Sequence, residues 1–478
     1  MTATLTELMT TGGDSRIVLD PATGLNRYHS APRPSGVLAY ASSTANDISA
    51  DAFAHLKSLG IGASLTSSAY AEALDGLRGR IRSAYSLGPE VQIVFAPSGT
   101  DLEYVGLACV EGLGGAGTHN ILLGADEVGS GCIHSAYGRY FAESTALGVA
   151  TTAGDPVPGF GDTRVEMIDI PVRDDRGRPK PSAEIAARMD QAIEAASAQG
   201  RHVLVHVVHG SKTGLILPSL ADIDALRSRH GEALTLLVDA CQGRITSEAI
   251  AAYLERDAIV FVTGSKFMGG PPFSGFALMP PGLRQAAPPL PEGLATIFRR
   301  AEWPAGWPGA ELLPEGANPG LLLRLEAAIF ELERFQRLSP DEVARVVLAF
   351  HSSVRSEIID PTAARRVAPY PPGEREEADT HPVEMRTLST LDLSGFAGGD
   401  SSFEHATSCH KALLAHGVRL GQPVKCVRLP DGNWGATLRV GLSMPLVVER
   451  AGLGDAALDS AFRNDMARIR GALLAVFA

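Results

Sequence analysis

With 478 residues, the chain is too long for one simple core and long enough for two or three packed subdomains. Hydrophobic residues make up 45% and charged residues 20%, an ordinary globular balance that argues against general disorder. The formal net charge of −12 argues against a nucleic-acid binder, which needs a basic face, but leaves room for a local basic pocket.

No run approaches the roughly 18 uninterrupted apolar residues of a membrane span. The stretch Met1 to Gly13 lacks the basic-then-apolar order of a signal peptide, so the expectation is a cytoplasmic protein with no membrane partner. Five scattered cysteines without a CxxC pair fit a reducing compartment and argue against a zinc site. Cys241 reads as a small buried residue.

In chain order, short runs apolar on both faces predict strands at Val91–Phe95, Asn120–Leu123, Val165–Ile170, His202–Val208, Thr235–Val238 and Ala258–Val262. Helical patterns lie between them. The run Ser182–Gln199 offers Ser182 as N-cap, a stripe of Ile185, Met189 and Ile193, and Gly200 as a stop. Another helix is expected near Ser219, with Ile223 and Leu226 inward. This alternation predicts an α/β protein with an open, mostly parallel sheet.

Residues 281–320 are rich in Pro and Gly and carry Trp303 and Trp307, which predicts a functional loop or an interface segment. The stripe Leu321, Leu325, Ile329, Leu332 and Phe335 then predicts a long helix. The remainder ends in an Ala/Arg helix after Asp455. The expected division is an N-terminal segment, arm and part of the small domain over 1–75, a large domain over 76–340 and a smaller α+β domain over 341–478.

Three segments carry candidate chemistry. In Pro97-Ser98-Gly99-Thr100, a strand runs into hydroxyls, a glycine and a helix start, the makings of an anion site, although an ordinary N-cap gives the same pattern. In Val238-Asp239-Ala240-Cys241-Gln242, a strand delivers a carboxylate at its carboxyl end, where open α/β sheets bind ligands. In Thr263-Gly264-Ser265-Lys266, another strand feeds a turn carrying a lysine, which desolvation would turn into a nucleophilic amine.

Together, strand–Ser-Gly-Thr, strand–Asp-x-x-Gln and strand–Ser-Lys resemble the fold-type-I pyridoxal-phosphate enzymes, in particular the class V aminotransferase and cysteine desulfurase-like branch. Lys266 follows Asp239 by 27 positions, a typical separation in that branch. The resemblance spans roughly residues 60–340. It implies a mostly parallel, seven-stranded-type sheet in a large domain, a smaller α+β domain, and a homodimer.

The resemblance also implies roles. Lys266 would hold pyridoxal 5′-phosphate as a Schiff base, and Asp239 would pair with its ring nitrogen. Gln242 would bond the ring hydroxyl oxygen. Ser98, Gly99 and Thr100 would cradle the phosphate, with Thr263 and Ser265 as further donors. Relatives often have a His where Ser265 stands. His134, in Gly131-Cys132-Ile133-His134, is the candidate to stack on the ring. Lys212, in His209-Gly210-Ser211-Lys212, precedes the Asp strand and so yields the Schiff-base role to Lys266. His209 and Lys212 are expected on the substrate side, with Tyr28 and the stretch Ser42-Ser43-Thr44 reaching in from the N-terminal segment.

Arg439 is the candidate fork for an amino-acid carboxylate. Three functions stay open: transamination of an amino acid; elimination or replacement at Cβ or Cγ, including S-adenosylmethionine as substrate with carbon–carbon bond formation, enclosed by Trp303 and Trp307; and a non-catalytic binding protein. The other reading of those tryptophans is a dimer anchor.

Overall fold

The computed structural model describes residues 3–129, 131–160, 164–371, 381–396 and 400–477. Its centre is an eight-stranded sheet. In chain order the strands are β1 (Gln92–Ala96), β2 (Thr118–Leu123), β3 (Val165–Ile170), β4 (His202–His209), β5 (Ile216–Leu217), β6 (Leu234–Asp239), β7 (Ile259–Thr263) and β8 (Gly275–Met279). The spatial order is β1-β8-β7-β6-β4-β2-β3, with β5 paired to β4. Strands β7, β6, β4, β2 and β3 pair in parallel, while β8 runs antiparallel to both β7 and β1.

The predicted strands fall within two residues of these bounds. Strand β8 was not predicted: its five apolar residues lie between Gly/Pro-rich runs, and an antiparallel return breaks the βα rhythm used to find the others.

Successive strand residues point to opposite faces, and both faces are apolar because both are covered. Val203, Val205, Leu236, Val238, Val260 and Val262 face one core. Leu204, Leu237, Ile259 and Phe261 face the other, which the helix Leu102–Val110 covers. The helix Ser182–Ala198 buries Ile185, Met189 and Ile193 as expected. Its N-cap is Pro181, not Ser182. The Ser182 hydroxyl instead accepts from Ser219 N–H at 2.7 Å, tying this helix to the start of Leu220–His230. That second helix is capped by Ser219 and buries Ile223 and Leu226.

The helix Pro319–Phe335 buries the whole predicted stripe, and Asn318 caps it by accepting from Leu321 N–H at 2.9 Å. Beyond it, a three-stranded antiparallel sheet is built from Arg365–Val367, Leu388–Asp392 and Thr437–Gly441. The last helix is Asp455–Phe477. No described helix is long and apolar enough to cross a membrane.

The segment 281–320 corrects the sequence reading. Trp303 and Trp307 are 2% and 1% exposed, meet edge-on at 5.2 Å between ring centroids, and sit in the same core as Leu294, Phe298 and Met279. They are neither a substrate wall nor an exposed dimer anchor. The segment is irregular because it is pinned by local hydrogen bonds around large side chains, such as Arg300 N–H to the Pro314 carbonyl at 3.0 Å.

Candidate active site

The carboxyl ends of β1, β6 and β7 converge on a cavity of about 210 Å³. Its walls include Ser98, Gly99, Thr100, Asp239, Thr263, Ser265, Lys266, Lys212, Tyr28 and Arg439. The structure therefore gathers ten of the predicted site residues around one space. A larger groove, about 630 Å³, lies between Arg80, Ile245 and Met444 and carries none of them.

The cradle follows β1. Ser98 Oγ donates to Asp101 Oδ2 at 2.6 Å and accepts from Asp101 N–H at 3.2 Å, which closes the turn into the helix Leu102–Val110. Burial pushes the Asp101 carboxyl up to about 7. Gly99 keeps this turn close to the end of β7: a Cβ there would lie 2.8 Å from Thr263 Cγ2 and 3.4 Å from Cys241 Sγ, so a side chain would crowd both. Thr263 Oγ in turn donates to the Cys241 carbonyl at 2.6 Å, joining β7 to the turn after β6.

Asp239 ends β6, half-buried, and accepts from Cys241 N–H at 2.9 Å, which orients its carboxylate at the sheet edge. Burial raises the Cys132 and Cys241 thiols well above their ordinary values, so both line the cavity as neutral thiols. Sequence reasoning did not place Cys241 in the cavity wall.

The Lys266 turn is clamped from outside the sheet. Asn46 Nδ2 donates to the Ser265 carbonyl at 3.1 Å and to the Lys266 carbonyl at 2.6 Å. Phe267 N–H donates to the Gln242 carbonyl at 3.2 Å. Asn46 has no sequence signal of its own, since it follows a segment without periodicity.

Lys212 lines the cavity with its Nζ donating to the Asp126 carbonyl at 3.0 Å. Burial, then the nearby Arg439 charge, pushes its amine down to about 8. Its loop is held by Glu127, which accepts from Ser211 Oγ at 2.7 Å and Thr213 N–H at 3.0 Å and pairs with Arg173 at 2.6 Å. Burial alone would raise the Glu127 carboxyl, but Arg173 and the Ser211 and Thr213 hydroxyls, the latter donating at 3.0 Å, outweigh it and hold it below the usual range.

Arg439 reaches the cavity from the strand Thr437–Gly441. Its guanidinium donates to the carbonyls of Gln422 (2.9 Å), Ser43 (3.1 Å) and Lys212 (3.2 Å) and to Thr44 Oγ (3.0 Å). All four acceptors are neutral, and among the described residues no carboxylate pairs with it. Burial lowers it to about 10. Gly421 permits this approach, because a Cβ there would lie 2.1 Å from Ser43 Oγ.

Three predicted residues lie elsewhere. His134 is exposed on the short helix Cys132–Ser135, and Cys132 takes the place at the cavity. In a helix this short, apolar periodicity gives no choice between the two faces. His209 is buried against Tyr253, with Nδ1 3.1 Å from its hydroxyl, and burial pushes it down to about 3, so it stays neutral. Gln242 is buried one layer behind the wall, where Nε2 donates to the Ser43 carbonyl at 3.3 Å and Oε1 accepts from Arg244 at 2.7 Å.

The N-terminal segment reaches the cavity through Ser43 and Thr44 as expected, and Arg16 lines it as well, joined by Phe273 and Pro272 from the turn after Lys266. Arg324 fixes this side: its buried guanidinium donates to the carbonyls of Phe273 (2.6 Å), Met9 (2.9 Å), Thr11 (2.7 Å) and Gly12 (2.9 Å). Phe273 is held at φ +73°, a region a bulky residue enters only at a cost of about 1–3 kcal/mol.

The chain has the fold of the fold-type-I pyridoxal-phosphate enzymes. A NifS-like protein from Rickettsia africae is 11% identical, covers 92% of this chain and 99% of its own, and superposes with a TM-score of 0.57. Ureidoglycine-glyoxylate aminotransferase from Bacillus subtilis is 11% identical over 93% of each chain, with a TM-score of 0.54. A serine palmitoyltransferase solved with its PLP internal aldimine is 15% identical, with a TM-score of 0.51 over 92% of this chain and 88% of its own. By sequence, no family model and no curated protein matches the chain.

The residues present fit that cofactor. A neutral donor cradle at a helix start suits a phosphate, a carboxylate at the sheet edge suits a pyridinium nitrogen, and a lysine stands on the neighbouring strand's turn. No group of three or more metal-ligating side chains occurs among the described residues.

Proposed function

We propose that this protein is a pyridoxal 5′-phosphate-dependent enzyme acting on an α-amino acid, of the class V aminotransferase-like kind, working as a homodimer. The observation that carries the reading is that Lys266, Asp239 and the Ser98–Thr100 cradle share one cavity with Arg439, a buried cation without a carboxylate partner among the described residues. A buried, unmatched guanidinium favours an incoming anion. The α-carboxylate of an amino acid answers that need.

When bound, the cofactor supplies an electron sink for negative charge at the substrate's Cα. The chain's residues do the rest. Ser98, Gly99 and Thr100, with Thr263 and Ser265, would fix the phosphate. Asp239 would hold a proton on the ring nitrogen, which strengthens the sink. Arg439 would orient the carboxylate, exchanging its Thr44 contact for the substrate. Lys266 would bond the cofactor and then move the proton at Cα. Tyr28 and Phe273, whose rings lie 6.1 Å apart, would shield the site from water.

Trp303 and Trp307 were the stacking surface expected for a large S-adenosylmethionine-type substrate, and their burial removes that surface. Single-turnover mixing of the holoenzyme with a panel of amino acids tests the transamination reading. It requires at least one amino acid to leave its amino group on the cofactor and depart as the oxo acid. Release of ammonia or a β-substituent with full recovery of the starting spectrum would replace transamination by elimination.

A further inference from the structure

The cradle that would take the phosphate is made of neutral donors: the hydroxyls of Thr100 and Ser265 and backbone N–H groups, since Ser98 Oγ donates to Asp101 and Thr263 Oγ to the Cys241 carbonyl. A phosphate monoester carries close to two negative charges at neutral pH, so a neutral cradle leaves most of that charge unmatched. The cavity wall holds four cations. Lys266 is the proposed cofactor-bonding amine, Lys212 donates to the Asp126 carbonyl, and Arg439 is held by Ser43, Thr44, Gln422 and the Lys212 carbonyl. The fourth, Arg16, points at the cradle, with Nη1 3.5 Å from Thr100 Oγ.

Arg16 is built to stay there. Asp14 takes Nε at 2.8 Å and Nη2 at 2.7 Å in a two-pronged clasp, which leaves Nη1 as the edge facing the cavity. The guanidinium lies between the rings of Phe141 and Phe273, 5.0 Å from each centroid. The Phe273 ring is in that position because its backbone is held at φ +73°, with Arg324 on its carbonyl. Arg324 also grips the carbonyls of Met9, Thr11 and Gly12, so the same residue docks the segment that delivers Arg16.

We infer that Arg16, carried in by the N-terminal segment, is the cation that binds the cofactor's phosphate, and that it sets the preference for the phosphorylated cofactor over its dephosphorylated form. This rests on the proposed cofactor. Asp14 orients the guanidinium, and the weak 3.5 Å contact to Thr100 is the one the phosphate replaces.

The test titrates apoprotein separately with pyridoxal 5′-phosphate and with pyridoxal, reading Kd from the absorbance change. Wild type should bind the phosphorylated form far more tightly. In Arg16→Met that Kd should rise on the order of tenfold to a hundredfold, the range for a charged hydrogen bond, while the Kd for pyridoxal stays at its wild-type value. Arg16→Lys keeps the charge but cannot keep both the Asp14 clasp and the reach to the cradle. It should fall between the two and decides the matter if Arg16→Met does not fold. Equal loss for both ligands, or no loss for either, would overturn the inference. Failure of wild type to bind either compound would instead remove the cofactor reading on which it stands.

Discussion

The two Gly/Pro-rich segments on either side of β8 look alike in sequence and differ in what they do. Thr263–Pro272 leaves the carboxyl end of β7 and puts Thr263, Ser265, Lys266 and Pro272 into the cavity. Residues 281–320 leave the far end of the antiparallel strand β8 and wrap Trp303 and Trp307 into the core under the opposite face. Irregular composition marks both as places where the chain is held by something other than helix or strand. What decides between chemistry and packing is the end of the sheet from which the segment departs, and a parallel strand and an antiparallel one depart from opposite ends.

The largest effect that would sharpen this contrast is at Lys266. Lys266→Ala should lower turnover on the order of a thousandfold or more and leave thermal unfolding of the apoprotein near wild type. A large fall in stability with little loss of rate would reverse the roles assigned to the two segments. Trp303→Ala should do the opposite. Emptying so large a buried site costs about 3–5 kcal/mol by denaturant unfolding, while turnover per folded molecule holds. Loss of turnover at unchanged stability would return Trp303 to the substrate.

Arg439→Met should raise KM for the amino acid by roughly tenfold to a hundredfold and leave the cofactor's Kd unchanged. A change confined to the cofactor's Kd would move Arg439 away from the carboxylate.

The smallest effect compares two buried carboxyls, one behind the cradle and one in the packed segment. Burial pushes both Asp101, behind the cradle, and Glu302, within the 281–320 segment, up to about 7. A carboxyl with a raised folded-state pKa holds its proton more tightly when folded, so stability falls as pH rises from about 4 to about 7. Asp101→Asn should flatten part of that fall in apoprotein melting temperature and leave the part due to Glu302. An unchanged slope would mean that Asp101 titrates normally.

The sequence was readable where a strand delivers the residue. Asp239 ends an apolar strand, Lys266 and the Ser98–Thr100 loop follow one by a few positions, and a parallel sheet aligns strand ends. Arg16 and Asn46 follow no such rule. Arg16 and Asn46 belong to an N-terminal stretch with little periodicity, placed by long-range contacts such as Arg324 with the Met9 carbonyl. His134 went astray for a different reason: a one-turn helix presents Cys132 and His134 to opposite sides, and composition favours the histidine as the ligand. The burial of the two tryptophans depends on the unpredicted direction of β8.

The central claim is that Lys266, and not Lys212, carries the cofactor. The direct measurement is borohydride treatment of the holoprotein followed by peptide mapping by mass spectrometry. The account predicts that an absorbance band near about 420 nm disappears and that the cofactor remains attached to the peptide containing Lys266. Attachment at Lys212, or no attached peptide, would contradict it.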